Sequence, residues 1–256
     1  MAPDKTMRLA VSLNGNYNVF KQQERFCYIN LARCKYRLIA KEINMKERIN
    51  KQWKKLPVSF YEREDVVLIS LELLGKLLVT NFEGKLTAGR IVETEAYNGI
   101  VDKASHAWNG RRTNRTEIMY AHGGVAYVYL CYGIHHLFNV VTNVADTPNA
   151  VLIRAVEPVE GIDIMLERTG KLKAGYDLTR GPGNVSKALG IHTKHTGYNL
   201  SGTEIFIADD GYKYDASSIA TTPRIGVDYA AEDALLPYRF IVKGNQYVSG
   251  KKQVSL

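Results

Sequence analysis

The stretch "VAYVYLCYGIHHLFNVVTN", residues 125–143, contains two runs of strand-forming residues separated by a glycine. Valine, tyrosine and phenylalanine favour β-strands, and Gly133-Ile134 between the runs indicates the turn of a hairpin. Alternation along the first run puts Tyr127 and Tyr129 on one strand face and leaves Tyr132 at the tip. The stretch therefore predicts a β-hairpin with tyrosines on one face and another tyrosine at its end.

Outward from this hairpin, helical and strand patterns alternate along the chain. "EDVVLISLELLGKLLV", residues 64–79, has apolar residues at helical spacing after an acidic start, and predicts one helix of about three turns. Residues 101–120 are polar and irregular, so we expect a long loop with short turns there. Further helices are predicted at 160–170 and 181–191, and strands at 89–97, 150–159 (ended by Pro158), 203–209, 224–230 and 238–244. The pattern indicates a single mixed α/β (α+β) domain around a mainly antiparallel sheet.

The positive charge of the chain is concentrated in its first part. Residues 1–57 contain 13 Lys and Arg against 4 Asp and Glu, whereas the rest of the 256 residues contain 21 against 22. We therefore interpret residues 1–56 as a basic extension, disordered or a loose helix at most, and residues 57–256 as the folded domain. A basic arm fits a nucleic-acid partner, although a merely solvated tail is at least as common. We expect the residues before Met45 to be dispensable for folding and chemistry.

Composition narrows the class of protein. The chain is 45% hydrophobic and 23% charged, which is ordinary for a soluble globular protein. It has neither a run of roughly 20 apolar residues for a membrane helix nor a secretory signal. Its cysteines, Cys27, Cys34 and Cys131, form no paired motif, which favours a reducing compartment and a core position for Cys131. We expect an intracellular protein with no membrane partner, cytoplasmic in a bacterium or nuclear in a eukaryote.

The strand segment "VETEAY", residues 92–97, carries two carboxylates on one face. Alternation places Glu93 and Glu95 together, with Tyr97 on the same side. Burying carboxylates beside apolar runs is costly. The segment is therefore either a solvated strand face or the wall of a cleft in which one carboxylate acts as a general base.

The motifs typical of metal and nucleotide-cofactor sites are weak or absent in the sequence. "GPGNVSK" lacks the spacing of a P-loop or a dinucleotide-binding fingerprint. "HTKH" places His192 and His195 three residues apart, but no set of carboxylates or cysteines accompanies them. We expect neither a metal nor an organic cofactor.

The aromatic hairpin and the loop before it have an interpretation beyond plain packing. Tyrosine rings hold unstacked nucleobases, at about 1–3 kcal/mol per base, and a side chain at a hairpin tip can act as a wedge in the minor groove. Arg111, Arg112 and Arg115 of "NGRRTNR" are suited to phosphate contacts, and Asn139, a lone amide among apolar residues, to a base edge. A tyrosine-rich sheet with an accidentally exposed tip is the alternative. With a carboxylate nearby, these residues together describe an enzyme that flips a base out of DNA.

Several long motifs, in order and spacing, resemble the alkyladenine (3-methyladenine or methylpurine) DNA glycosylase family. They are "LLGKLLV", "GRIVETEAY", "SHAWNGRRTNRTEIMY", "YVYLCYGIHHLFNVV", "AVLIRAVEP", "GPGNVSKALGI" and "PRIGVDYA", and they cover about residues 58–256. The resemblance implies one compact domain with a curved sheet, similar to the C-terminal domain of formyltransferases. It also implies a monofunctional hydrolase that flips alkylated or deaminated purines (the 3-methyladenine, 7-methylguanine and hypoxanthine class) out of duplex DNA. Such an enzyme hydrolyses the N-glycosidic bond and so initiates base excision repair.

The resemblance also implies catalytic and base-pocket residues. Glu95 corresponds to the general base that activates the attacking water, and Arg154 to the arginine that helps to position that water. Tyr97, His106 and Tyr129 correspond to the walls that stack on and hydrogen-bond the extruded base.

Other residues are implied to contact DNA or to select the base. Tyr132 corresponds to the wedge that fills the hole left in the duplex, and Asn139 to the side chain that crowds the exocyclic amino group of guanine. Met119 falls near a contact with the opposite strand. Tyr127 has no implied role, and we expect ordinary packing from it.

Two other functions remain open on the sequence. A nucleoside N-glycosidase would leave the wedge and the arginines idle, and a non-catalytic lesion-binding protein is disfavoured by the presence of Glu95 and Arg154. The expected partner is double-stranded DNA containing damaged purines, bound by a monomer.

Overall fold

The computed structural model of the protein describes residues 53–250, and the basic extension predicted for residues 1–56 lies outside these residues except at its end. The strands in this range are β1 (Lys54–Lys55), β2 (Leu77–Phe82), β3 (Lys85–Tyr97), β4 (Ala126–Cys131), β5 (His135–Thr142), β6 (Asn149–Glu160), β7 (Ile205–Asp209), β8 (Ile219–Thr222) and β9 (Arg239–Val242). The α-helices are α1 (Val58–Tyr61), α2 (Val66–Glu72), α3 (Ile162–Thr169) and α4 (Pro182–Leu189). Short 3₁₀ segments lie at Gly99–Val101, Trp108–Gly110, Glu117–Tyr120, Tyr176–Leu178, Thr193–His195, Ala216–Ser218 and Asp228–Leu235.

The strands between residues 53 and 250 form one sheet in which every pair is antiparallel. Their order is β1-β7-β2-β3-β6-β5-β4, and β9 pairs with both β3 and β8. The predicted mixed α/β domain around a mainly antiparallel sheet is confirmed, as is the β4–β5 hairpin. Because β1 pairs with β7, the sheet begins at Lys54, slightly before the boundary expected at residue 57.

The central strand β3 decides which side chains face the candidate site. It pairs with β6 along one edge, and with β2 and then β9 along the other. A register shift between Ile91 and Glu93 marks a bulge at Val92, and Ile91 and Val92 both join the apolar core. Beyond the bulge, Thr94 bonds Ser70 of α2, whereas Glu93 and Glu95 both contact Arg154 of β6. The predicted pairing of the two carboxylates on one face is thus observed.

The helix predicted for residues 64–79 is wrong in its second half. Helix α2 begins at Val66, capped by the Asp65 side chain, and ends at Glu72. Leu77, Leu78 and Val79 instead begin β2, where all three are fully buried between β3 and β7. A short apolar run buried on both faces has no periodicity that separates a strand from a helix.

Two strand predictions also need correction. Pro158 does not end β6, because the strand continues to Glu160 and Pro158 faces Gly89 at an irregularity of the β3 ladder, where its missing N–H costs little. Residues 224–230 do not form a strand. Gly226 has a positive φ of 76°, and a 3₁₀ segment follows from Asp228. The predicted helices at 160–170 and 181–191 are confirmed by α3 and α4, and the other predicted strands by β3, β7 and β9.

No helix within residues 53–250 is both long and apolar enough to cross a membrane.

Two glycines that flank α3 allow a test of how tightly this helix is packed on β3. Gly161 and Gly170 have positive φ values of 72° and 73°, so alanine at either position costs about 1–2 kcal/mol of backbone strain. A Cβ at Gly161 would lie 2.2 Å from the carbonyl oxygen of Leu86, whereas a Cβ at Gly170 would have no neighbouring atom within 4 Å. We predict that Gly161→Ala lowers the free energy of unfolding by about 1–3 kcal/mol more than Gly170→Ala, because only the first forces α3 off the strand. Urea unfolding of both variants measures this difference. Equal losses in the free energy of unfolding would show that α3 shifts away from β3 at no cost.

Candidate active site

A cavity of about 360 Å³ opens beside the β4–β5 hairpin. Residues of β3, β4, β5 and β6 line it, together with the loop between β3 and β4, the 225–229 segment and the start of α4. Pockets that bind small molecules typically have volumes from about 300 Å³ upward, so this cavity is of the size that binds a single small ring system.

The carboxylate of Glu95 lies directly behind the cavity wall and has no solvent exposure. Its Oε1 accepts a hydrogen bond from the backbone N–H of Ile225 (2.7 Å). Its Oε2 accepts from Arg154 Nη1 (3.1 Å) and from the Tyr97 hydroxyl (3.0 Å). All three donors line the cavity. Burial, and then the charge of Glu95, raise the pKa of Tyr97 well above its ordinary value, so this hydroxyl keeps its proton.

Arg154 connects Glu95 to a second buried carboxylate, Glu93. Arg154 Nε donates to Glu93 Oε1 (2.9 Å), and its Nη2 donates to the Ser249 hydroxyl (3.2 Å). Glu93 also accepts from Arg239 Nε (2.7 Å) and from the backbone N–H of Ser249 (2.6 Å). Burial opposes the charge of Arg154, but Glu95 and Glu93 outweigh it and raise its pKa, so this guanidinium stays charged.

Tyr97, His106 and Tyr129 all line the cavity, as the resemblance implied. The rings of His106 and Tyr129 meet edge to face, with centroids 4.7 Å apart. Burial, with the nearby charges of Arg115 and Arg111, lowers the pKa of His106 to about 4. The imidazole is therefore neutral at pH 7, and this wall of the cavity is uncharged.

Tyr127 does more than the ordinary packing we expected. It is buried and lines the cavity, and its hydroxyl lies 2.8 Å from His106 Nδ1, so it fixes the orientation of that ring. The sequence carried a signal for this role, because Tyr127 shares its strand face with Tyr129.

Tyr132 stands at the hairpin tip and is 89% exposed, the most exposed aromatic side chain at the cavity rim. The turn is centred on Tyr132 and Gly133, with φ of 50° and 73°, and Ile134 N donates to the Cys131 carbonyl. Cys131 pairs with His135, so residues 132–134 form the loop. Positive φ values at both central residues are typical of a type I′ turn, so the centre of the turn lies one residue before the expected Gly133-Ile134. A tyrosine held at positive φ is strained, and strain of this kind clusters at functional sites.

Asn139 is buried on β5 and lines the cavity. Its amide nitrogen donates to the backbone carbonyls of Tyr127 (3.2 Å) and Leu137 (3.3 Å), which fixes the direction of the amide. An immobile polar group at this point of the wall can exclude ligands by shape as well as bind them.

Of the three arginines of the 111–115 stretch, Arg112 does not suit a phosphate contact. Its guanidinium binds Glu117 (2.7 Å) and Asp146 (2.7 Å), so its charge is already neutralised within the protein. Arg115 lies over the Tyr129 ring, 5.0 Å from its centroid, and the charges of Arg111 and Arg115 both reach His106. Arg111 and Arg115 are therefore the two arginines of this loop that lie near the cavity and could contact a phosphate.

Met119 and Cys131 also lie elsewhere than expected. Met119 is buried at 2% exposure and lines the cavity, because the 3₁₀ segment Glu117–Tyr120 packs it against the aromatic cluster of Tyr127. It therefore offers no surface to an opposite DNA strand. Cys131 is not a core residue, since it is half-buried and lines the cavity.

Two lining segments received no role from the sequence. Residues 225–227 and Tyr229 form one wall, and residues 180–184 at the start of α4 form another. Apart from Arg180, both lie within the quoted motifs "PRIGVDYA" and "GPGNVSKALGI", which was the available signal.

The histidine pair of "HTKH" is engaged inside the protein. The His195 ring stacks on Phe82 at 4.4 Å, and its Nδ1 accepts a hydrogen bond from the His192 backbone N–H (3.0 Å). Within residues 53–250 there is no group of three or more His, Cys, Asp or Glu side chains arranged to hold a metal ion.

Comparison with known proteins agrees with this geometry. The family model for methylpurine-DNA glycosylase (MPG) matches residues 59–246. A protein of Chlamydia abortus named "Putative 3-methyladenine DNA glycosylase" is 49% identical over 188 residues, covering 73% of this chain and 97% of the relative. Relatives of the same name are 47% identical over 203 residues in Bacillus cereus (76% of this chain, 98% of the relative) and 44% over 207 residues in Desulfitobacterium hafniense (77% and 100%).

These matches span most of the chain and nearly the whole length of each relative, and they confirm the resemblance found in the motifs. The chain belongs to the methylpurine-DNA glycosylase family, whose enzymes are hydrolases acting on N-glycosyl bonds.

Proposed function

We propose that this chain is a monofunctional DNA glycosylase that flips alkylated or deaminated purines out of duplex DNA and hydrolyses their N-glycosidic bond. Its substrates are of the 3-methyladenine, 7-methylguanine and hypoxanthine class. One observation carries the proposal: a base-sized cavity has aromatic walls, a buried Glu95–Arg154 pair behind it and an exposed tyrosine at its rim. A free nucleoside would need no such tyrosine.

In the proposed reaction, Glu95 is the general base. A carboxylate has about four lone-pair positions, and the three donors to Glu95 leave one on Oε1. That position accepts a proton from the attacking water as the sugar becomes an oxocarbenium-like cation. The negative charge of the buried Glu95 also stabilises this cation.

Arg154 is proposed to orient the water. Of its five N–H groups, three donate to Glu93, Glu95 and Ser249, and the others remain for the cavity that the side chain lines. Because Glu93 and Ser249 fix the far side of the guanidinium, a water bound to it is held in a defined place beside Glu95.

The leaving group explains why one carboxylate is sufficient. An N-alkylated purine carries positive charge and leaves readily, so the enzyme needs only to activate water. Among the described residues that line the cavity there is no lysine to attack the sugar, which supports hydrolysis without strand cleavage. A neutral base such as hypoxanthine needs a proton as it leaves.

Tyr97, His106 and Tyr129 are proposed to hold the extruded base by stacking and hydrogen bonding. The neutral His106 supports this role, since a protonated imidazole would repel a positively charged alkylated purine. Asn139, whose amide is fixed by two carbonyls, is proposed to crowd the exocyclic amino group of guanine and so to exclude the normal base.

Tyr132 is proposed to enter the gap that the base leaves in the stack. Double-stranded DNA is proposed to be bound by a monomer. Arg111 and Arg115 beside the cavity are proposed to contact phosphates, and Arg112 is left out of this role because of its ion pairs. Base extrusion loses a few kcal/mol of stacking, which an inserted aromatic ring replaces in part.

A single-turnover assay separates the proposal from its alternatives. A duplex that contains 3-methyladenine, 7-methylguanine or hypoxanthine should lose the damaged base, whereas the free nucleosides should stay intact. Binding without release would indicate a non-catalytic lesion-binding protein, and release from nucleosides alone would indicate a nucleoside hydrolase.

Glu95→Gln should reduce base release by about 10²–10⁴-fold and leave the Kd for lesion DNA within about tenfold, because the amide keeps the shape but takes up no proton. Single-turnover rates and Kd values of this variant measure both effects. Glu160→Gln, at the end of β6, is the matched control and should behave as wild type. A near wild-type rate in Glu95→Gln would reject Glu95 as the base and make Glu93 the next candidate.

Tyr132→Ser should weaken base flipping far more than bond cleavage, because the flipped state loses the ring that blocks return of the base. The fluorescence of 2-aminopurine placed beside a lesion, followed by stopped flow, reports the flipping equilibrium and the reverse rate. Leu130→Ser, two residues earlier and also exposed, is the control for loss of an apolar group from the hairpin. If both variants flipped the base as wild type does, Tyr132 would be only a surface aromatic.

A further inference from the structure

The proposed mechanism leaves one buried ion pair unexplained, Asp102 with Arg224. Neither side chain has more than 1% exposure, and neither residue is among the groups that act on base or water above. Arg224 Nη2 donates to Asp102 Oδ1 (2.9 Å), and Nη1 donates to Asp102 Oδ2. Burial opposes the charge of Arg224, but the hydrogen bond and attraction to Asp102 outweigh it and raise its pKa. The Arg224 guanidinium therefore stays charged.

Arg224 connects the cavity wall to the strand that carries Glu95. Its Nη1 also donates to the carbonyl of Ala96 (2.9 Å), the residue next to Glu95. Its guanidinium lies over the Tyr97 ring at 4.9 Å and over the Tyr238 ring at 5.2 Å. The Arg224 guanidinium therefore packs on the Tyr97 ring, and the Tyr97 hydroxyl donates to Glu95.

Asp102 fixes the loop that follows β3. Its Oδ2 accepts from the backbone N–H of Asn98 (3.0 Å), and its Oδ1 accepts from that of Ala104 (2.9 Å). These bonds set the path of the chain between Tyr97 and His106, two walls of the cavity. The same carboxylate therefore anchors Arg224 and this loop.

The residue after Arg224 makes the contact of most consequence for chemistry. Ile225 N–H donates to Glu95 Oε1, the oxygen that has a lone pair left for water. Arg224 Nη2 also donates to the Asp233 carbonyl (3.1 Å), which ties Arg224 to the 3₁₀ segment Asp228–Leu235 that follows it. The position of the Ile225 N–H therefore depends on where the Arg224 side chain is held.

Stability alone gives little reason to bury this pair. Two charges taken out of water lose solvation that their attraction often fails to recover, and Arg224 Nε, also buried, has no hydrogen-bond partner among residues 53–250. The contacts of the pair instead converge on the orientation of Glu95 and Tyr97.

We propose that Asp102 and Arg224 are positioning residues for the hydrolytic step, which hold the Ile225 N–H and the Tyr97 hydroxyl, two donors to Glu95, in place. The inference rests on the proposed function of Glu95. It requires that the pair act on the rate of bond cleavage through Glu95, beyond its effect on folding.

Asp102→Asn and Arg224→Lys are the test variants, since each removes the bidentate pair with little change in volume. We expect each to reduce the single-turnover rate of base release from a 3-methyladenine duplex by about 10- to 100-fold, the effect of a small misplacement of a catalytic group. The Kd for undamaged duplex should change less than threefold. All rates are measured well below the unfolding midpoint of each variant.

The chain offers a matched control in Arg90 and Asp210. This pair is also bidentate, at 3.0 and 2.7 Å, with Arg90 lying over the Tyr212 ring and bonded to the Gly75 carbonyl, but it does not line the cavity. Asp210→Asn should keep the wild-type rate. An equal loss in Asp210→Asn and Asp102→Asn would assign both to general destabilisation and overturn the proposal.

A double-mutant cycle decides whether the pair acts through Glu95. In a Glu95→Gln background, Asp102→Asn should change the residual rate less than threefold, because the group it positions is already gone. A full 10- to 100-fold further loss would overturn the proposal. Absence of base release by the wild-type protein would instead reject the proposed function itself, so the two failures are distinguishable.

Discussion

The complete burial of two carboxylates from one strand, Glu93 and Glu95, is the constraint on which the rest of the structure depends. A buried carboxylate without partners is very costly, so the fold must supply cations and donors from elsewhere. Arg154 on β6 and Arg239 on β9 supply them, from the two strands that flank this part of β3. The placement of β6 and β9 beside β3 therefore also brings the arginines that neutralise these carboxylates.

The two carboxylates differ in their partners, and this difference separates support from chemistry. Glu93 accepts four bonds, three of them on Oε1, from two guanidiniums and from both the backbone and the hydroxyl of Ser249. Glu95 accepts three bonds, all from groups that line the cavity. Of the donors to Glu93 only Arg154 lines the cavity, so Glu93 fits a supporting role through Arg154, whereas the donors to Glu95 place that carboxylate at the cavity itself. Identical side chains two residues apart therefore fit different roles because their environments differ.

The sequence was most informative where the physics is local. Alternation along "VETEAY" predicted that Glu93 and Glu95 share a face. The strand-forming residues on either side of Gly133 predicted the β4–β5 hairpin. The bulge at Val92 was not visible in that pattern, although it is what gives both Ile91 and Val92 to the core. The family resemblance supplied residue types for the site, and the cavity does bring Tyr97, His106, Tyr129, Asn139 and Arg154 together. The pairing of Arg112 with Asp146 and the burial of Met119 depend on tertiary packing, which residue type does not report. The failure at 224–230 has the same origin, because its backbone and Arg224 bond to Glu95, Ala96 and Asp102 rather than to a neighbouring strand.

The proposed role of Glu95 is to activate water for base release, and no lysine lines the cavity among residues 53–250. The most direct measurement is the product distribution from a duplex with one 3-methyladenine, resolved as free base by chromatography and as strand length before and after alkali. If Glu95 activates water, free 3-methyladenine should form in a one-to-one ratio with abasic sites, and the strand should stay intact until alkali is added. Strand cleavage without alkali, or a covalent protein–DNA adduct trapped by borohydride, would contradict it.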